Sequence, residues 1–308
     1  MTSSVVTLFE GHYHMGLGAL VNSLYMHGFR GYVYAGYRGA LPPWARPIQA
    51  GSDFSEFQVA EGCWIRFVKV ETPWHLTNYK PKFMLDVWDR LSPEADAMFY
   101  FDPDIAIRCR WSFYESWIRY GIGLCQEITA SAMPSNHPIR CEWKRWMLDR
   151  NIATNYELAQ YFNGGFVGLL QQHKAFLETW HAIMVGISQE VDLSGFTPGD
   201  RSQPFNMTDQ DGLNMAAMAT RFPLSTIGPE GMDLVPGGFT MSHAVGSPKP
   251  WRKQFTACAL RGRSLSNADR LWLANSSSPI QVLTSGQKRL RAIDLKIGSA
   301  IGRFVRRA

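Results

Sequence analysis

The sequence predicts an α/β fold, a mostly parallel central sheet flanked by helices, on three observations. Short β-branched runs alternate with segments of helical spacing from the N-terminus onward, the mark of a sheet with crossover helices. A wholly apolar pentad, Ala97 to Phe101, is too short for a helix and reads as a central strand. Hydrophobic residues at 45% and charged residues at 19%, with 11 Trp, 11 Tyr and 18 Phe in 308 residues, supply a large core and argue against general disorder.

Taken in order, Val5 to Phe9 reads as a first strand, and Met15 to Gly28 as a helix with Leu17, Leu20, Val21 and Leu24 on one side. Tyr32 to Ala35 and Cys63 to Val70 read as strands. Asn78 to Leu91 reads as a helix with Pro81 in its first turn, where a missing N–H costs nothing. After the strand Ala97 to Phe101 come a strand at Phe166 to Leu170, a helix from Lys174 to Ile187 and a helix from Thr208 to Met218. The Pro/Gly-rich stretch Leu193 to Pro204 reads as a loop.

Charge is unevenly spread. Residues 285–308 carry seven basic side chains against one acid, a balance of +6 within a net charge of +5, so residues 1–284 carry −1. A nucleic-acid footprint over the body is therefore not expected. Two units follow from this, a domain over 1–284 and a basic amphipathic tail over 285–308. In that tail Leu290, Ile293, Ile297, Ala300, Ile301 and Phe304 recur at spacings of three and four. Two placements fit it: an apolar face packed on the body with the arginines solvated, or an anionic membrane surface. Five cysteines without a CxxC pair argue against a disulfide framework or a zinc site. Without a leader-like N-terminus or an apolar stretch long enough to span a bilayer, the expected location is the cytoplasm, peripheral on the membrane if the tail binds there.

Two motifs carry chemistry. Asp102-Pro103-Asp104 closes the apolar pentad, and two carboxylates one residue apart at a strand end can share a hard divalent ion. Alone, this tripeptide fits a turn as well as a metal site. His243-Ala244-Val245-Gly246-Ser247-Pro248-Lys249-Pro250-Trp251 adds an imidazole that suits manganese, a lysine able to face a diphosphate, and a glycine that lets backbone approach phosphate.

FDPD, YFNGGFVG, DQDGLN and HAVGSPKPW, in this order over roughly residues 5–253, resemble glycosyltransferase family 8, the retaining GT-A group that includes bacterial lipooligosaccharide galactosyltransferases and the glycogenins. The resemblance implies a GT-A fold, manganese (or magnesium) held by Asp102, Asp104 and His243, and Lys249 on the diphosphate of a UDP-sugar. It further implies Asn163 and Gly164 beside the donor sugar, Asp209 on sugar hydroxyls and Gln210 near the anomeric carbon. Asp209 and Gln210 are accordingly the catalytic candidates. Glu10, His12 and Tyr13 fall where the family contacts base and ribose, with Glu10 and His12 departing from its usual residues. Lys82, with Lys80 as its rival, falls where the family directs a basic side chain at the donor.

Galactose or glucose is the sugar that the resemblance favours; a glycolipid, polysaccharide or protein is the acceptor, touched by Trp143 to Asp149 and the 193–204 loop. A metal-dependent phosphohydrolase or nucleotidyltransferase centred on Asp102, or a non-catalytic nucleotide-sugar binding module, are the alternatives.

Overall fold

A computed structural model describes residues 1–46, 49–130, 132–195 and 202–304. The first half contains β1 (Ser3–Glu10), α1 (His14–Met26), β2 (Gly31–Arg38), β3 (Gln49–Ala50), β4 (Ser55–Ala60), β5 (Cys63–Lys69), α2 (Lys80–Asp86), β6 (Ala97–Phe101), β7 (Ile105–Ile107), α3 (Trp111–Trp117), β8 (Ile122–Gln126) and α4 (Pro138–Leu148). The second contains β9 (Phe162–Leu170), α5 (Ala175–Ile187), α6 (Thr208–Ala219), β10 (Leu224–Ile227), β11 (Met241–His243), α7 (Phe255–Leu260), α8 (Asn267–Ala274) and α9 (Ser285–Phe304).

Among the described residues, nine strands form one sheet in the order β10-β8-β9-β6-β1-β2-β5-β4-β3. Its centre, β6-β1-β2-β5, is parallel, and β9 enters antiparallel between β6 and β8. Side chains alternate across the pleat, so Val6, Leu8, Met98 and Tyr100 fill one core while Val5, Phe9, Phe99 and Phe101 fill another. Helices cover both faces, which is why the central strands are mostly apolar on both sides.

Directions within the sheet decide where the chemistry lies. The C-termini of β1, β6 and β8 and the N-terminus of β9 meet at one edge, because Phe101 pairs with Phe166 and Gln126 with Phe162. Glu10, Asp102, Glu127 and Asn163 therefore share that edge. A second, two-stranded sheet pairs His243 of β11 with Ile105 of β7, which carries His243 back beside Asp104.

Most expected elements lie within a few residues of their place. The helix expected over 78–91 is divided into a tight turn at 76–79, α2, and a wider helical turn at 87–91. Trp143 to Leu148 belongs to α4, and Trp143 is buried against Tyr161, so it is not the acceptor-facing aromatic expected from the sequence. Residues 196–201 of the expected loop, and Arg306 and Arg307 of the tail, lie outside the described residues.

Helix α9 is joined to the body by Ala292 and Leu295, which pack against the cluster of Trp251, Trp272 and Leu273, and by polar groups. Asp294 accepts the N–H groups of Phe255 (2.8 Å) and Thr256 (2.9 Å), capping α7. Gly298 is where the two backbones cross: a Cβ there would lie 2.8 Å from the Phe255 carbonyl. Arg291 donates to the carbonyls of Pro250, Trp251 and Lys253.

Candidate active site

A cavity of about 670 Å³ opens at the sheet edge where β1 and β6 end. Asp102, Asp104 and His243 line it. One ligand atom from each lies within 4.8 Å of the others. His243 Nε2 is 3.3 Å from Asp104 Oδ1 and 3.7 Å from Asp102 Oδ2. Two carboxylates and one imidazole form a donor set that could hold a divalent cation, with the imidazole favouring manganese over magnesium. Lys249 reaches the same place, bonding to Asp104 and donating to the Ala244 carbonyl at 2.8 Å. Burial raises the Asp104 carboxyl, but His243 and Lys249 outweigh it and hold the group well below the usual range.

Beside this triad, and sharing Asp102 with it, stands an ion network around the buried Lys80. Lys80 is the first residue of α2, and its Nζ donates to Asp209 Oδ2 (2.8 Å) and to the Gly164 carbonyl (2.9 Å), with Asp102 Oδ1 at 3.2 Å. Burial lowers its pKa, yet the two carboxylates more than offset that, and the ammonium stays charged. Asp209 is raised by burial, which Lys80 opposes without cancelling. Asp209 Oδ1 is buried without a hydrogen-bond partner among the described residues. An acceptor oxygen left this way beside a cavity is costly unless a ligand hydroxyl completes it.

The first turn of α6 is fixed from below. Asn214 accepts the Phe162 N–H (2.8 Å) and donates to its carbonyl (2.9 Å), locking α6 to the start of β9. Gln210 Oε1 then accepts the Gly164 N–H at 3.0 Å. A Cβ at Gly164 would lie 2.9 Å from Asp209 Oδ2, and one at Gly165 would lie 2.6 Å from His243 Cε1, so this approach requires both glycines.

The remaining sequence candidates divide. Glu10, Tyr13, Asn163, Gln210 and Gly246 line the cavity, with Gly246 at φ +77°. Glu10 also faces Arg38 (3.5 Å) and His75 (3.8 Å). His12 is turned away: its Nδ1 accepts from Trp251 Nε1 at 2.9 Å, and Arg252 covers its other nitrogen. Lys82 pairs with Asp86 one turn on and does not line the cavity, whereas Lys80 does. Pro81 at the start of α2 settles that choice, since the helix begins at Lys80 and turns Lys82 outward.

Two residues escaped the sequence reading. Tyr100 donates its hydroxyl to Asp102 Oδ1 at 2.9 Å, and Glu127 accepts from Asn163 Nδ2 while its other oxygen accepts the Ile128 N–H at 2.7 Å. Tyr100 lies inside the pentad, two residues from Asp102 on the same face, and that spacing was its available signal. Glu127 follows a strand that carries no motif.

No protein-family model matches the sequence, and no curated protein matches it. Among solved structures the chain is similar to the apo form of WbbM, a bifunctional glycosyltransferase, with a TM-score of 0.54 and 14% identity over 94% of this chain. The match takes in 51% of the WbbM chain, so this chain spans about half its length. The α/β architecture, with its mostly parallel sheet flanked by helices, is thus of the GT-A kind and is shared with a glycosyltransferase.

Proposed function

We propose that this chain is a divalent-metal-dependent, retaining glycosyltransferase of the family 8 type, moving galactose or glucose from a UDP-sugar to a glycan, glycolipid or protein acceptor. The observation that carries the reading is the convergence of Asp102, Asp104 and His243 in one cavity, with Lys80 joining Asp102 to Asp209 beside them.

Asp102, Asp104 and His243 would hold a divalent cation, which would supply Lewis-acid stabilisation of the charge on the leaving diphosphate. Lys249 neutralises the same oxygens from its own side, because its ammonium stays charged beside Asp104. Asp209 Oδ1 accepts a sugar hydroxyl, and Lys80 holds that carboxylate in place. Asn163, clamped by Glu127, meets the sugar beside it. Tyr13, an aromatic ring on the cavity wall, offers a stacking surface to the base, with Glu10 close to the ribose.

In the transfer itself the acceptor hydroxyl oxygen bonds to the anomeric carbon on the face that the diphosphate leaves. The bond from that carbon to the diphosphate oxygen breaks, and the hydroxyl proton passes to the departing phosphate oxygen. Gln210, a neutral amide, steadies the developing positive charge without forming an ester. The free thiols fit the cytoplasm, and contact of the C-terminal segment with a membrane belongs to the same reading.

The test is a screen of UDP- and GDP-sugars with manganese or magnesium, reading nucleotide release and sugar hydrolysis. Release of UDP from UDP-galactose or UDP-glucose, abolished by a chelator, is expected. Phosphate release from simple phosphate esters without sugar hydrolysis would replace the reading with the phosphohydrolase centred on Asp102.

A further inference from the structure

Helix α9 has two unlike halves. At about 100° per residue, Arg291, Asp294 and Gly298 fall on the side that meets α7 and the 250–256 segment. The outward half carries Leu290, Ile293, Ile297 and Phe304, which are 70%, 46%, 47% and 89% exposed. Immediately beside this apolar row, Arg289, Lys296 and Arg303 recur every seven residues, all exposed. Asp294, the one acid of the helix, is turned inward and occupied by the start of α7. No helix of the described residues is long and apolar enough to cross a membrane.

We propose that the outward half of α9 docks on the surface of an anionic lipid bilayer. The apolar row enters the boundary between headgroups and acyl chains, and the three cations meet lipid phosphates. Charge selects this occupant: a second copy of the chain, paired through the same face, would bring the same cations and no acid to meet them.

The inward half gives the docking its consequence. Arg291 bonds to the carbonyls of Pro250, Trp251 and Lys253, directly after Lys249, so the helix that rests on lipid also holds the segment flanking the cavity. If the cavity is the transferase site proposed above, on which this step rests, a lipid-linked glycan is the acceptor class that such docking serves.

Sedimentation of the full-length protein with phosphatidylcholine vesicles, with and without phosphatidylglycerol, tests the docking without using catalysis. Binding only to the anionic vesicles, weakened by salt, is expected. Replacing Arg289, Lys296 and Arg303 together by Gln should weaken it on the order of 100-fold, at about fivefold for each cation. Ile293→Ser with Ile297→Ser should abolish it, and both variants should keep the parental melting temperature and donor hydrolysis in solution.

Failure of the parent to sediment with anionic vesicles, or undiminished binding by both variants, overturns the proposal. So does a parental dimer that Ile293→Ser with Ile297→Ser converts to a monomer in analytical ultracentrifugation, since the face would then belong to a second copy. Vesicle binding without any nucleotide-sugar hydrolysis would sustain the docking and remove the transferase reading alone.

Discussion

Lys80 Nζ sits 2.8 Å from Asp209 Oδ2 with the lysine wholly enclosed, joining the first turn of α2 to the first turn of α6. The pair also touches Asp102, so one ammonium compensates two carboxylates of the candidate site. Lys80→Met would leave both uncompensated, with Asp209 buried. A loss of about 3–5 kcal/mol in stability is expected, with donor hydrolysis down ~100-fold or more. Lys82→Ala, two residues on, should stay within about 0.5 kcal/mol of the parent. Urea melts and nucleotide-release rates compare the two, and equal effects would show that the network does not hold the site.

At the candidate cation site, Asp104→Asn neutralises one of the three candidate ligands and His243→Ala deletes another. Manganese titration by calorimetry should show weaker binding in both, and turnover should fall by ~100-fold or more while the far-ultraviolet spectrum is unchanged. Parental activity of Asp104→Asn at limiting manganese would remove this site from the mechanism.

Glu127 positions Asn163 through a buried bond to its amide. Hydrogen bonds to a charged partner contribute about 1.5–3 kcal/mol, so Glu127→Ala should raise the donor KM by about tenfold or more. Glu127→Gln keeps an acceptor and should recover part of the loss. A fall in kcat at unchanged KM would indicate a different role.

Arg291 is the strut between α9 and the segment after Lys249. Arg291→Ala should raise donor KM and lower the melting temperature together, and Arg291→Lys should not rescue, because a single ammonium cannot span three carbonyls. Unchanged kinetics in Arg291→Ala would mean that the segment holds its shape unaided.

Asp211 gives a pH signature. Burial raises its carboxyl to about 7 from the ordinary 3.8, against hydrogen bonds from Tyr161, Met207 and Asn206. The folded chain therefore keeps a proton that the unfolded chain releases between those values, so this contribution to stability falls as pH rises from about 4 to 7 and levels off above. Urea midpoints across pH 4 to 8 should show that decline, and Asp211→Asn should flatten it. An equal slope in the variant would assign the decline to another group.

Much of the fold was legible in the chain. The pentad Ala97 to Phe101 matches β6 residue for residue, and α6 begins at Thr208 as expected, although its N-cap is Met207 with no side-chain bond. Asp102, Asp104, His243 and Lys249 could be read because each belongs to a motif that is contiguous in sequence. Lys80 and Lys82 could not be separated by pattern alone, since two lysines flanking one proline differ only in where the helix starts. The apolar row of α9 was legible as a row, but its exposure was not.

The sequence by itself determined the strand and helix pattern, the two carboxylates at a strand end and the basic, amphipathic character of residues 285–304, because each depends on periodicity or spacing within a few turns of chain. Only the tertiary structure decided that Glu127 meets Asn163, that Lys80 meets Asp209, and that α9 turns Arg291 inward and Leu290 outward. These pairings join residues 36, 129 and some 40 positions apart, and such distances are closed by sheet order and helix packing, which leave no local mark in the residues they bring together.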